Sequence, residues 1–255
     1  MTWDTKVFRY CERGVDPSFW AEPLNAVSNG AFIIAAVAAA ISLSRDARGT
    51  HARSEWLLIG LLMAIGVGSF LFHTFATRWA ALADVVPIGV FMLAYLGYAL
   101  RRFIGLGWVF VAAGLGVFVA AMQLAEGIDC RPALLSVTAA ARGPCLNGTV
   151  GYLPAFAAMV LIGFVLQRKG HAAARYLLTA AAVFLMSMFF RTVDIEICAL
   201  TRLGGRALGT HFLWHVLNAT TLYLLVVAAI RHGAAGRLRA APAGPVPRPA
   251  GGTPS

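Results

Sequence analysis

His211 and His215 stand four residues apart, which places two imidazoles on one helix face and within reach of one metal ion. Ser69 and His73 repeat that spacing in Gly68-Ser69-Phe70-Leu71-Phe72-His73, and Asp84 follows after a short turn. Three imidazoles with a fourth position open make a catalytic zinc centre. Zinc in such a centre makes water nucleophilic near neutral pH. A carboxylate beside it can take the proton and return it to a leaving group, and a hydroxyl one turn from a ligand can donate to an oxyanion. His73, His211 and His215 are therefore the candidate metal ligands, and Ser69 and Asp84 the candidate catalytic groups. Each has a plainer reading when taken alone. A membrane histidine also serves as an interhelical hydrogen bonder, and a histidine pair can hold haem iron or copper. Ser69 can be a small packing residue, and Asp84 can pair with Arg78 at the surface.

The elements that must bring these residues together are apolar and long. Of 255 residues, 59% are hydrophobic and 13% are charged, against about 25% charged in soluble domains, and mean hydropathy is +0.74. That composition indicates an all-α integral membrane protein with room for several spans of about 20 residues. We read seven: Leu24–Leu43, Glu55–Ala76, Ala80–Leu100, Phe103–Leu124, Thr149–Leu166, Tyr176–Ile197 and Gly209–Ile230. They form one domain over 1–231. Residues 232–255, rich in Ala, Gly, Pro and Arg, read as a disordered tail. In the first span Asn25, Ser28 and Asn29 recur at helical spacing and should face the bundle interior. A formal charge of +10 would suggest a nucleic-acid partner in a soluble protein. Here the cations flank apolar runs, so loop charge accounts for them and no nucleic-acid partner is expected.

Orientation follows from those loops. Arg45, Arg48 and Arg53, the pair Arg101 and Arg102, the group Arg168, Lys169 and Arg175, and the basic tail all fall on one side. Basic loops stay inside, so the N-terminus is placed outside and the C-terminus inside. His51, His171 and His232 then lie in basic inner segments and read as solvated. Cys11, Cys130, Cys145 and Cys198 all fall on the outer side, where disulfides persist. Four cysteines allow three pairings; Cys130–Cys145 within one loop is the simple choice and leaves Cys11–Cys198. No cleavable signal peptide is recognised in residues 1–23. The Ala- and Arg-rich composition points to a bacterial source, with the protein in the inner membrane and its site toward the periplasm.

The order Ser-x3-His, Asp, then His-x3-His over seven spans resembles the alkaline ceramidase family, part of a wider group of seven-helix membrane hydrolases that includes the adiponectin receptors. The resemblance extends to Tyr10-Cys11-Glu12, Phe19 through Asn29, Pro87, Val193-Asp194 and Cys198, and covers nearly the whole chain to Arg231. It implies that His73, His211 and His215 bind zinc and that Ser69 and Asp84 assist hydrolysis of an amide in a membrane lipid, ceramide or another N-acyl lipid. It also implies a Cys11–Cys198 disulfide. The resemblance further implies calcium, which eukaryotic family members bind at the N-terminal segment, where Glu12 and Glu22 match two acidic ligands and Tyr10 can offer a carbonyl. The chain departs from that pattern: Arg9 stands in place of an acid and Gly14 in place of an asparagine. Asp4 or Asp16 can substitute there, or Arg9 can replace the ion's charge. The rival reading is a non-catalytic seven-helix receptor or metal-binding membrane protein, and an electron-transfer haem protein is a third.

Overall fold

The computed structural model describes residues 2–46, 53–128 and 145–233. His51, Arg48, Cys130, most of the long loop and the expected tail beyond residue 233 lie outside the described residues. The described chain is predominantly helical, and seven of its segments are long and apolar enough to cross a membrane. An N-terminal strap leads into α1 (Pro23–Ser28) and α2 (Gly30–Ser44), which make the first span. Then come α3 (Arg53–Phe75), α4 (Arg78–Tyr98) with a widened last turn Ala99–Ile104, and α5 (Trp108–Glu126). An irregular turn, Cys145–Tyr152, opens onto α6 (Leu153–Arg168). α7 (Ala173–Val193) and α8 (His211–His232) follow, separated by a small hairpin of β1 (Arg202–Leu203) and β2 (Arg206–Ala207).

α8 is the most enclosed of the seven spans. It packs along α7 and α2, while α3 packs closely along α4. Lipid tails are as apolar as leucine, so contact between helices depends on close backbone approach rather than on hydrophobic burial. The buried alanines Ala36, Ala39, Ala180, Ala181, Ala228 and Ala229 permit that approach. The tightest point joins α3 to α4. A Cβ on Gly68 would run into the Ala83 carbonyl. Pro87, four residues later, has no N–H to offer that carbonyl, and the packing brings Ser69 and His73 against the start of α4.

The sixth span ends earlier than expected. It stops at Val193 rather than Ile197, because the Asp194 carboxylate is drawn to backbone N–H groups elsewhere. The seventh begins at His211 rather than Gly209, since Gly209 takes the left-handed φ of +64° and a Cβ there would meet Asp194 and Cys11. His171 is half-buried rather than solvated; its Nδ1 accepts the Ala173 N–H at the start of α7.

Candidate active site

His73 lies in the last turn of α3, Asp84 in the second turn of α4, and His211 and His215 open α8. These helix ends meet at the end of the bundle that carries the N-terminal strap. The three histidines are each 1% exposed, and one ring nitrogen of each lies within 4.8 Å of the others. His73 Nδ1 bonds to Glu22 Oε2, which leaves Nε2 buried without a partner. His211 Nδ1 is likewise buried without a partner. His215 Nδ1 lies 2.7 Å from Ser28 Oγ, and the Ser28 hydroxyl donates to the Asn25 carbonyl over 2.9 Å. A hydroxyl has one proton, so Ser28 Oγ accepts from Nδ1–H and Nε2 of His215 is free. Carboxylate or hydroxyl partners on the far nitrogen are the usual support of a metal-binding imidazole. Orphaned ring nitrogens converging in a buried site, with no acid among them, fit a borderline metal such as zinc.

Ser69 and Asp84 are buried beside this cluster, with the serine hydroxyl at the Asp84 carboxylate. Asp84 forms no ion pair with Arg78. A cavity of about 60 Å³, lined by Ser69, Asp84, Tyr152, Arg191, His211 and His215, separates the groups and has room for a few waters. Ile65, Ile88 and Tyr152 also wall an adjoining apolar cavity of about 70 Å³ that runs inward past Phe91, Tyr95 and Met159. The expected metal and catalytic residues are therefore brought together.

The residues matched to calcium ligands are engaged by groups of the protein itself. Both Glu12 oxygens accept backbone N–H groups, from Leu24 and Asn25, each over 2.8 Å. Burial pushes the Glu12 carboxyl above its usual range, against the pull of those two bonds. Glu22 is shared among Arg13, Asn25 and His73. Burial acts to raise its carboxyl, and the bonds from His73, Arg13 and Asn25 bring it below the usual range. The guanidinium of Arg13 also donates to the carbonyls of Asp16, Ser18, His73 and Thr74. The place of a cation among these oxygens is filled by Arg13, and Arg9 takes no part in it. The carboxylates are thus committed, and too few free oxygens remain for calcium's six to eight.

Several further residues brace the site. Asp194 accepts the N–H groups of Cys11 (3.0 Å), Thr210 (2.7 Å) and His211 (2.9 Å). Tyr10 stacks on His211 with ring centroids 3.7 Å apart, and burial holds its phenol protonated, pushed up to about 12. Cys11 and Cys198 are bonded to each other. Cys145 is also in a disulfide. Tyr10, Cys11, Asp194 and Cys198 all lie in the stretches that carry the family resemblance, and the Cys11–Cys198 bridge is the one that the resemblance implies.

A protein-family model described as Ceramidase matches residues 7–237 of this chain. Among curated proteins, none matches it.

Proposed function

Since the chain belongs to the ceramidase family, a family of amide hydrolases, we propose that it is a zinc-dependent amidase of ceramide or a related N-acyl lipid, with its site at the outer face of the membrane. One observation carries the reading: three buried imidazoles, two with orphaned ring nitrogens, converge beside a cavity that His211 and His215 line together with Ser69 and Asp84. His73, His211 and His215 hold the metal, which when bound supplies Lewis acidity to the amide carbonyl and makes water nucleophilic. Glu22 and Ser28 fix the orientation of His73 and His215. Asp84 takes the proton from the attacking water as the C–O bond forms. It delivers that proton to the nitrogen as the C–N bond breaks, releasing a fatty acid and an amine. The Ser69 hydroxyl donates to the oxyanion between those two events. The apolar cavity beyond Ile65 and Ile88 receives an acyl chain, and lipid reaches the site sideways from the membrane.

The test is direct. Purified protein is assayed for metal content and for release of fatty acid from an N-acyl sphingoid lipid, before and after chelation and zinc return. Loss and recovery of turnover in step with zinc is the expected result. Turnover by metal-free protein, or zinc-loaded protein that hydrolyses no N-acyl lipid, would overturn the reading.

A further inference from the structure

The site cavity holds a cation that no carboxylate pairs with. Arg191 lies in the last turn of α7, inside a membrane-spanning segment, and is only 8% exposed. Its guanidinium carbon lies 5.1–5.8 Å from the ring centroids of Tyr10, Tyr152 and Trp214. Nη1 donates to the Tyr10 hydroxyl over 3.4 Å, and Nε has no partner. Among the described residues Arg191 forms no ion pair. Asp194, three residues on, spends its oxygens on backbone N–H groups. A guanidinium carries five donors and no acceptor. Left unpaired within a membrane segment, such a charge is costly and marks a ligand path.

Arg9 is a second one. It is exposed, and among the described residues it has neither an ion pair nor a side-chain hydrogen bond. It lines the same cavity as Arg191. Both also line a groove of about 430 Å³ between α4, α5 and the Cys145–Tyr152 turn. Two guanidiniums thus flank the passage from that groove to the histidines. A neutral head group offers them nothing ionic to bind.

Resting on the amidase reading above, we infer that the lipid substrate is anionic. Its head group carries phosphate, sulfonate or carboxylate a few bonds from the amide nitrogen. Arg191 takes that anion within the cavity, and Arg9 meets it from the groove. Guanidinium forks match the geometry of such oxyanions. The bland alternative is that Arg191 offsets the charge of Asp84 across the cavity. That role needs no second arginine and leaves the Arg191 Nε unpartnered.

The test compares two lipids that differ in one group, an N-acyl sphingoid lipid and its phosphate monoester, in neutral detergent with the full-length, metal-containing protein. Oleate serves as a free anion, and thermal stabilisation by each compound is measured beside turnover. The phosphate ester should show kcat/KM roughly 10- to 100-fold higher, the worth of a charge-assisted hydrogen bond, and should raise Tm more than the neutral lipid or oleate does. Arg191→Gln should collapse that ratio. So should Arg9→Gln, at an exposed position with no packing to lose. Equal kcat/KM, a preference for the neutral lipid, or a ratio that survives both substitutions overturns the inference. Oleate stabilising as strongly as the ester assigns the arginines to the product carboxylate, and also overturns it. Stabilisation by the ester alone, with neither lipid hydrolysed, supports the anion site while rejecting the amidase reading. No stabilisation by either lipid rejects the anion site.

Discussion

Replacing Arg13 with alanine removes the partner of a buried carboxylate. Glu22 is 2% exposed and would keep only Asn25 and the ring of His73. Breaking a buried pair from one side costs about 3–5 kcal/mol. A protein of this size loses about 2–4 °C of Tm per kcal/mol, so Arg13→Ala should unfold roughly 6–20 °C lower. The substitution also opens a place bordered by the Glu22 carboxylate and the carbonyls of Asp16, Ser18, His73 and Thr74. Those oxygens, completed by water, suit calcium. Calcium at about 100 times its Kd returns about 2.7 kcal/mol, or roughly 5–11 °C. Thermal unfolding of the purified protein and the variant is followed with and without calcium, with zinc held constant. The unmodified protein should be indifferent, and Arg13→Ala should be rescued in part. Calcium-dependent Tm in the unmodified protein, or no loss in the variant, would refute the claim that Arg13 occupies the cation's place.

Other substitutions separate the remaining roles. His211→Ala should lose zinc and unfold at a lower temperature, because a bound metal stabilises only the folded state; full zinc occupancy by mass spectrometry would remove His211 from the ligand set. Asp84→Asn should keep zinc and lose turnover by at least roughly 100-fold. Ser69→Ala should keep zinc and lose roughly 100- to 1,000-fold, and near-normal single-turnover rates would assign Ser69 to packing. Cys198→Ser should release Cys11 to a membrane-impermeant thiol reagent on intact cells; protection of Cys11 in that variant would argue against placing the strap outside.

The spans and the histidine cluster were legible because both depend on local spacing. A long apolar run is visible in the sequence, and so is a pair of histidines four apart. Ser28 was legible to a lesser degree: its helical spacing from Asn25 pointed it inward, and it reaches His215. Arg13 was not legible. Its partners are 3 to 61 residues away, and most of them are backbone carbonyls, which carry no sequence signal. Arg9 was the visible departure from the calcium pattern, so it drew the attention that belonged to its neighbour. Arg191 is a lone cation at the end of an apolar run, and such residues ordinarily reach for the membrane surface. Only the aromatic rings contributed by three other segments show that it turns inward.

The ends of α3 and α8 explain why His73 and His211 sit where the strap does. A helix leaves its last carbonyls and its first N–H groups without partners, with negative charge gathered at one end and positive at the other. His73 rides on the final turn of α3, whose carbonyls at His73 and Thr74 receive Arg13 and whose Phe75 carbonyl receives Lys6 over 2.7 Å. His211 opens α8, and the Asp194 carboxylate accepts the N–H groups of Thr210 and His211. Each of these two helix ends is thus closed by a charge of the sign its dipole favours. Both closures run through one short strap, because Arg13 belongs to it and Asp194 also holds the Cys11 N–H beside the Cys198 bridge. Two of the three imidazoles are thus fixed along their backbones, and Glu22 and Ser28 fix the rings of His73 and His215. The N-terminal segment, which has little regular structure of its own, is held by charge at both helix ends and by a covalent bond between them.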